Sequence, residues 1–284
     1  MTERGPDGYL LDNRQPEAGD RFEALADLFD GSTFRHVDRL GIAAGGRCWE
    51  VGAGGPSVIE GLAERVGPGG YVLATDIDTS WMTAATAPQV EVLHHDIAAD
   101  APPPGAFDLV HARLVLVHVR DRERALRVMV DALRPGGWLL LEDADPALQP
   151  LACPDESGPR QQLANEIRRG FRRLLSERGA DLSYGRRLPR LLRSAGLTDV
   201  QADAYFPLTS PAGTALERAT VLQIREQLTA KGYATDTEID THLATIATGE
   251  LDVATAPMIS AWGRKPGARP GQPEWFASGS VAAE

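Results

Sequence analysis

From Arg47 to Ala144 short apolar runs alternate with amphipathic segments, and this rhythm narrows the architectures open to the chain more than any other feature. Runs over 47–51, 71–75, 90–93, 107–111 and 137–142 have the length and apolar character of buried strands. Between the first two, residues 57–66 show helical spacing and stop at "GPGG"; a second helix is predicted over 121–133, ending at "RPGG". Strands that are apolar throughout, separated by helices, predict a parallel sheet covered on both faces.

On either side the pattern changes. Phe22, Leu25, Leu28 and Phe29, then Phe34, Val37 and Leu40, recur at helical spacing and predict two short helices leading into the core, while little of residues 1–20 reads as core. After "LLLEDADP" a Pro-containing loop precedes a helix over about 160–178 and another ending at Gly196. Two further strands are expected over 199–208 and 257–264. The stretch 213–249 between them is helical and too long for a hairpin loop, so a cap over one end of the sheet is expected. The Gly-, Pro- and Ala-rich tail from Pro266 is expected to be disordered.

With 284 residues the chain has room for one large α/β core with additions. A formal net charge of -11 disfavours a nucleic acid partner, because phosphate is repelled over most of the surface. The arginines of "NEIRRGFRRLLSERG" are the exception, and they read as a solvated helix face opposite a stripe of Phe171, Leu174 and Leu175. No apolar run is long enough to span a membrane and no secretory signal is visible, so a cytoplasmic protein without a membrane partner is expected. Cys48 and Cys153 are the only cysteines and suggest packing rather than a disulfide or zinc framework.

The loop "EVGAGGPSV" follows the first strand. Gly52 and Gly54 can adopt positive φ and let the backbone approach a ligand, with the amides of the helix near Ser57 directed at it. Asp76, ending the second strand, stands where a Rossmann-type half places an acid for ribose hydroxyls. Asp96 ends the third strand and suits an adenine amino group. Glu50, beside the loop, disfavours a pyrophosphate and favours a zwitterionic amino acid carrying a sulfonium. Pro56 fits the first helical turn, where its missing N–H has no intrahelical partner.

Taken in order, "EVGAGGP", "ATDID", "HHDI", "FDLVHARLVLVHV" and "LRPGGWLLLED" resemble the motifs of class I S-adenosylmethionine-dependent methyltransferases, in the branch similar to ubiquinone/menaquinone-type and small-molecule natural-product enzymes. The resemblance is strong over about residues 40–145 and loose elsewhere. It implies an α/β, Rossmann-like, seven-stranded, mostly parallel sheet with helices on both faces, an N-terminal helical lid over 1–40, and a methyltransferase domain over 41–265. Helical caps fall at about 151–180 and 213–255, with a tail over 266–284. S-adenosylmethionine is then the cosubstrate, held by Glu50, Gly52, Ala53 and Gly54 at its methionine part and by Asp76 at the ribose. Ile77 and Met82 flank the adenine, and Asp96 with Ile97 meets its amino edge. The backbone carbonyl of His111 faces the methionine ammonium, and Arg21 the methionine carboxylate. A homodimer is common among similar enzymes.

Methyl transfer needs alignment, exclusion of water and, for some acceptors, a base. His118 is the candidate base, Glu142 and Asp143 can orient an acceptor, and Tyr9 of the lid can cover the sulfonium. Phe171, Tyr184 and Phe206 are candidates for an apolar wall around a small organic acceptor. The fourth strand ends in His111 where catechol-type enzymes place a metal carboxylate, so no metal is expected. Two rival readings are a NAD(P)-dependent oxidoreductase and a non-catalytic S-adenosylmethionine-binding protein on the same fold.

Overall fold

The structure is a computed structural model, and it describes residues 10, 11, 13, 15, 17–82 and 87–267. Seven strands form one sheet: β1 (Arg47–Val51), β2 (Tyr71–Asp76), β3 (Val90–His94), β4 (Phe107–Arg113), β5 (Leu133–Ala144), β6 (Thr198–Tyr205) and β7 (Met258–Arg264). Their order is β3-β2-β1-β4-β5-β7-β6, and only β7 runs antiparallel to its neighbours.

Successive side chains of the central strands go to opposite faces, and both faces are buried. Cys48, Val72, Leu109 and Leu140 pack against α2 (Ser57–Val66) and the end of α1 (Glu17–Arg39). Trp49, Leu73, Val110, Leu139 and Leu141 pack against α3 (Arg122–Ala132) and α5 (Leu188–Ser194). That two-sided burial is why these strands read as apolar runs. The edge strand β6, "TDVQADAY", is polar and mostly exposed, as an edge that must not recruit another chain tends to be.

Where two short N-terminal helices are expected there is one, α1, which passes through Gly31 without a break. A helical glycine costs about 1 kcal/mol relative to alanine, and tertiary packing on both sides overrides it. The helix stops at Gly41, whose φ of 75° suits a glycine C-terminal stop. Its second half buries Thr33, His36 and Val37, so α1 is a core helix along that half and a wall of the cavity along the other.

The remaining helices, α4 (Pro159–Glu177), α6 (Pro211–Gln223), α7 (Arg225–Ala230) and α8 (Asp236–Ala247), have a hydrophobic cluster of their own. Ile167, Leu174, Val221, Ile224, Leu228 and Ile239 fill it, together with Leu10 and Leu11, so the N-terminal segment contributes more to packing than its polar sequence suggests. Local signals set the helix starts: the Ser210 hydroxyl accepts from Gly213 N at 3.0 Å, and Thr235 with Glu238 forms a capping box. Among the described residues no helix is long and apolar enough to cross a membrane.

Candidate active site

A cavity of about 840 Å³ lies between the carboxyl ends of β1, β2, β4 and β5 and the helices α1, α4 and α6. Its volume falls within the range of small-molecule sites, ~300–1,000 Å³.

The glycine loop forms one end. Gly52 and Gly54 have φ of 64° and 63°, and a Cβ on Gly52 would stand 2.4 Å from Val115 Cγ2. A Cβ on Gly54 would stand 2.7 Å from Phe22 Cε1. Both the backbone conformation and the space therefore demand glycine. Asp76 closes the loop from β2: one carboxylate oxygen accepts from Gly54 N at 3.0 Å and the other from Asp78 N at 2.9 Å. Burial raises the Asp76 pKa against the pull of these backbone donors, and the carboxylate lines the cavity. Pro56 stands one residue before the first helical turn, as the N-cap of α2 (φ -81°, ψ -19°), and its carbonyl accepts from Glu60 N at 2.9 Å. Ala53, Gly55 and Ser57 complete this rim.

Next to it Ile77, Asp96, Ile97 and Ala98 line the wall. Asp96 is braced by accepting from Ala98 N at 2.8 Å. Met82 does not join them: it is fully buried in the core between the sheet, α1 and α2. Its neighbour Trp81 lines the cavity instead, its indole N–H donating to the Asn13 carbonyl at 2.6 Å and its ring edge-on to Phe22 at 5.9 Å. The short 3₁₀ turn over Ser80–Met82 decides which of the two faces inward, and a sequence motif does not register that rotation.

Three proposed site residues form a buried polar chain outside the cavity lining. His111 Nδ1 lies 2.5 Å from a Glu50 carboxylate oxygen and Nε2 lies 3.3 Å from Glu142. Glu142 also accepts from Thr33 and, at 2.6 Å, from Ser260. His36 Nδ1 stands 3.3 Å from Glu142 without hydrogen-bond alignment, and its Nε2 reaches Asp203 on β6 at 3.0 Å. Burial pulls the His111 pKa down, but Glu50 and Glu142 outweigh it and hold it up at about 9. Glu142 is held well below the usual carboxylate range: burial opposes, while the adjoining imidazoles of His111 and His36 prevail. Glu142 therefore does not orient an acceptor, and the charge of Glu50 is matched by His111 rather than offered to a ligand. Asp143 is equally remote, with its pKa pushed up to about 8 by burial, and Asp145 is taken by Arg186 at 2.5 Å.

Beyond the loop the cavity is bounded by α1, α4 and α6. His118 lines this part, and burial, then Arg21 and Arg122, lower its pKa to about 4, so the imidazole is neutral at pH 7. Arg21 lines it too, donating to Gln223 at 3.1 Å and Asn13 at 2.9 Å. Phe171 and Leu175 supply apolar surface, but Tyr184 is packed in the core and Phe206 lies outside the lining. The same face of α4 carries Arg168 and Arg172, with Arg178 just past its end; only Arg169 and Arg173 match the expected solvated face. Tyr9 lies outside the described residues. Among the described residues no cluster of three or more His, Cys, Asp or Glu side chains could hold a metal ion.

Residues 49–141 match a family model described as a methyltransferase domain. Methyltransferase str2 of Strobilurus tenacellus is 34% identical over 159 residues, 53% of each chain. A ubiquinone/menaquinone biosynthesis C-methyltransferase of Vibrio cholerae is 29% identical over 147 residues, 46% of this chain and 56% of the relative. The chain thus spans about half the length of the curated relatives it matches. Among solved structures, a phosphoethanolamine N-methyltransferase of Haemonchus contortus bound to S-adenosylhomocysteine shares the fold with a TM-score of 0.56 at 18% identity, over 90% of this chain and 59% of that one. The ordered motifs, the strand order and the match over residues 49–141 together support a class I S-adenosylmethionine-dependent methyltransferase.

Proposed function

We propose that this protein transfers the methyl group of S-adenosylmethionine to a small organic acceptor at carbon, nitrogen or oxygen. One observation carries the reading: the glycine loop, braced by Asp76, opens into a single cavity whose far part is walled by apolar and basic side chains. The residues fit the cosubstrate, since any side chain at Gly52 or Gly54 would collide with Val115 or Phe22 and close the cradle.

When bound, S-adenosylmethionine would supply an electrophilic methyl: an electron pair of the acceptor, a lone pair on nitrogen or oxygen or a π pair at carbon, would form the new bond while the methyl–sulfur electrons stay on sulfur. The chain's own work is then alignment and exclusion of water. Asp76 accepts from ribose hydroxyls, and Asp96 with Ile97 meets the adenine edge. Trp81 and Phe22 close the side wall. His118, neutral at pH 7, accepts a hydrogen bond from an acceptor O–H or N–H; with its low basicity it steers a proton rather than driving its removal. The relatives named for quinone biosynthesis support an acceptor in quinone-type or natural-product metabolism.

Calorimetric titration with S-adenosylhomocysteine, with NAD in parallel, tests this. Micromolar affinity for the first alone is the expected outcome. NAD binding would favour the oxidoreductase reading, and cofactor binding with no turnover on any acceptor would favour the non-catalytic one.

A further inference from the structure

The α4 wall of the cavity carries an unmatched positive charge. Arg168, Phe171, Arg172, Leu175 and Arg178 recur at three- and four-residue spacing and all line the cavity, so a single helix face presents two aliphatic or aromatic surfaces among three guanidiniums. Arg168 is satisfied: it pairs with Glu217 at 2.5 Å, which His242 holds from the other side at 3.3 Å. Arg172 and Arg178 differ. The Nε atom of each is buried and has no hydrogen-bond partner, and among the described residues neither side chain forms an ion pair.

Among the described residues the acids that line the cavity do not compensate. Glu217 is engaged by Arg168 and His242, Glu23 is solvent-exposed, and Asp76 and Asp96 belong to the glycine-loop end. Arg172 is disfavoured in its charged form, first by burial and then by Arg168 and Arg169. A buried donor left unsatisfied is costly, and more so when charged. A chain with net charge -11 has carboxylates in excess elsewhere, so this local surplus of guanidinium belongs to the wall and not to the composition.

We infer that the methyl acceptor carries an anionic group, a carboxylate or a phosphate, received by Arg172 and Arg178 at the α4 wall while the nucleophilic atom points toward the glycine-loop end. The inference rests on the methyltransferase reading for the word acceptor, but the anion site stands on the arginines alone. A planar guanidinium pairs with either oxyacid through parallel N–H donors, and Phe171 and Leu175 suit an apolar body behind the charged head.

The test uses the full chain saturated with S-adenosylhomocysteine and titrated with three probes of equal body: 2-naphthoate, 2-naphthyl phosphate and the neutral 2-naphthalenemethanol. At least one anion is expected to bind about tenfold or more tightly than the alcohol, and the tighter of the two identifies the head group. R172M and R178M should each cut that preference by about fivefold or more, with S-adenosylhomocysteine affinity unchanged. R172M should melt no lower than the parent, because it removes an uncompensated charge. Equal binding of alcohol and anions, no binding of either anion at millimolar concentration, or a preference surviving both substitutions overturns the inference. Should S-adenosylhomocysteine itself fail to bind, the cofactor reading falls, while the three probes still report on the arginine wall.

Discussion

Asp76 does two jobs with one carboxylate: it fixes the loop through Gly54 N and faces the cavity. Asp76→Ala should therefore weaken S-adenosylhomocysteine binding by about 1.5–3 kcal/mol, through lost ribose hydrogen bonds and a looser loop. Calorimetry on the variant reads this directly, and unchanged affinity would remove Asp76 from the site. At this scale the placement of the glycine loop and its neighbouring acids along the cavity was legible. Gly52, Gly54, Asp76 and Asp96 stand at or just past the ends of regular strands, where residue type and spacing determine position. Met82 and Trp81 were not separable, because a single 3₁₀ turn reverses inward and outward. Glu142 was misread for a different reason. An acid at a strand end reads as exposed, and nothing local reveals that two histidines distant in sequence, His36 and His111, surround it.

The same contrast appears between elements. The parallel direction of the central strands followed from the strand–helix rhythm, since parallel strands need crossovers of helical length. The placement of α4 did not follow: its amphipathic pattern identified one apolar stripe but not that Arg172 and Arg178 share the cavity wall with Phe171. Nor did the N-terminal segment reveal itself: among its described residues Leu10 and Leu11 enter the cluster of α4, α6, α7 and α8, with 3% and 8% exposure. Deleting residues 1–13 is accordingly expected to lower stability as well as turnover. Losing two buried leucines costs about 3–6 kcal/mol as an upper estimate. Thermal melting of the deletion should show a clear drop; a loss of turnover at constant melting temperature would mean that the segment acts only as a cover.

Across the whole molecule, stability should carry the imprint of its buried charges. His111 has a folded pKa near 9, above the unfolded value of about 6.5, so its contribution is complete below pH ~6.5 and is lost as pH rises through ~9. Glu142, held low, contributes above its unfolded pKa of about 4.3 and loses that contribution as pH falls. Asp143, raised to about 8, keeps its proton in the fold and costs stability increasingly from about pH 4 to pH 8. Melting temperature should thus fall on both the acid and alkaline sides, and Asp143→Asn should flatten the decline toward pH 8; an unchanged profile would place the Asp143 proton elsewhere. The chain Asp203, His36, Glu142, His111 and Glu50 draws its members from β6, α1, β5, β4 and β1. Removing one member strands a buried charge on the next, at a cost of about 3–5 kcal/mol, whereas exchanging several for apolar residues together can be neutral. Over evolutionary descent these positions are therefore bound to one another: lineages should keep the set or replace it as a block, and drift at one site alone should be rare.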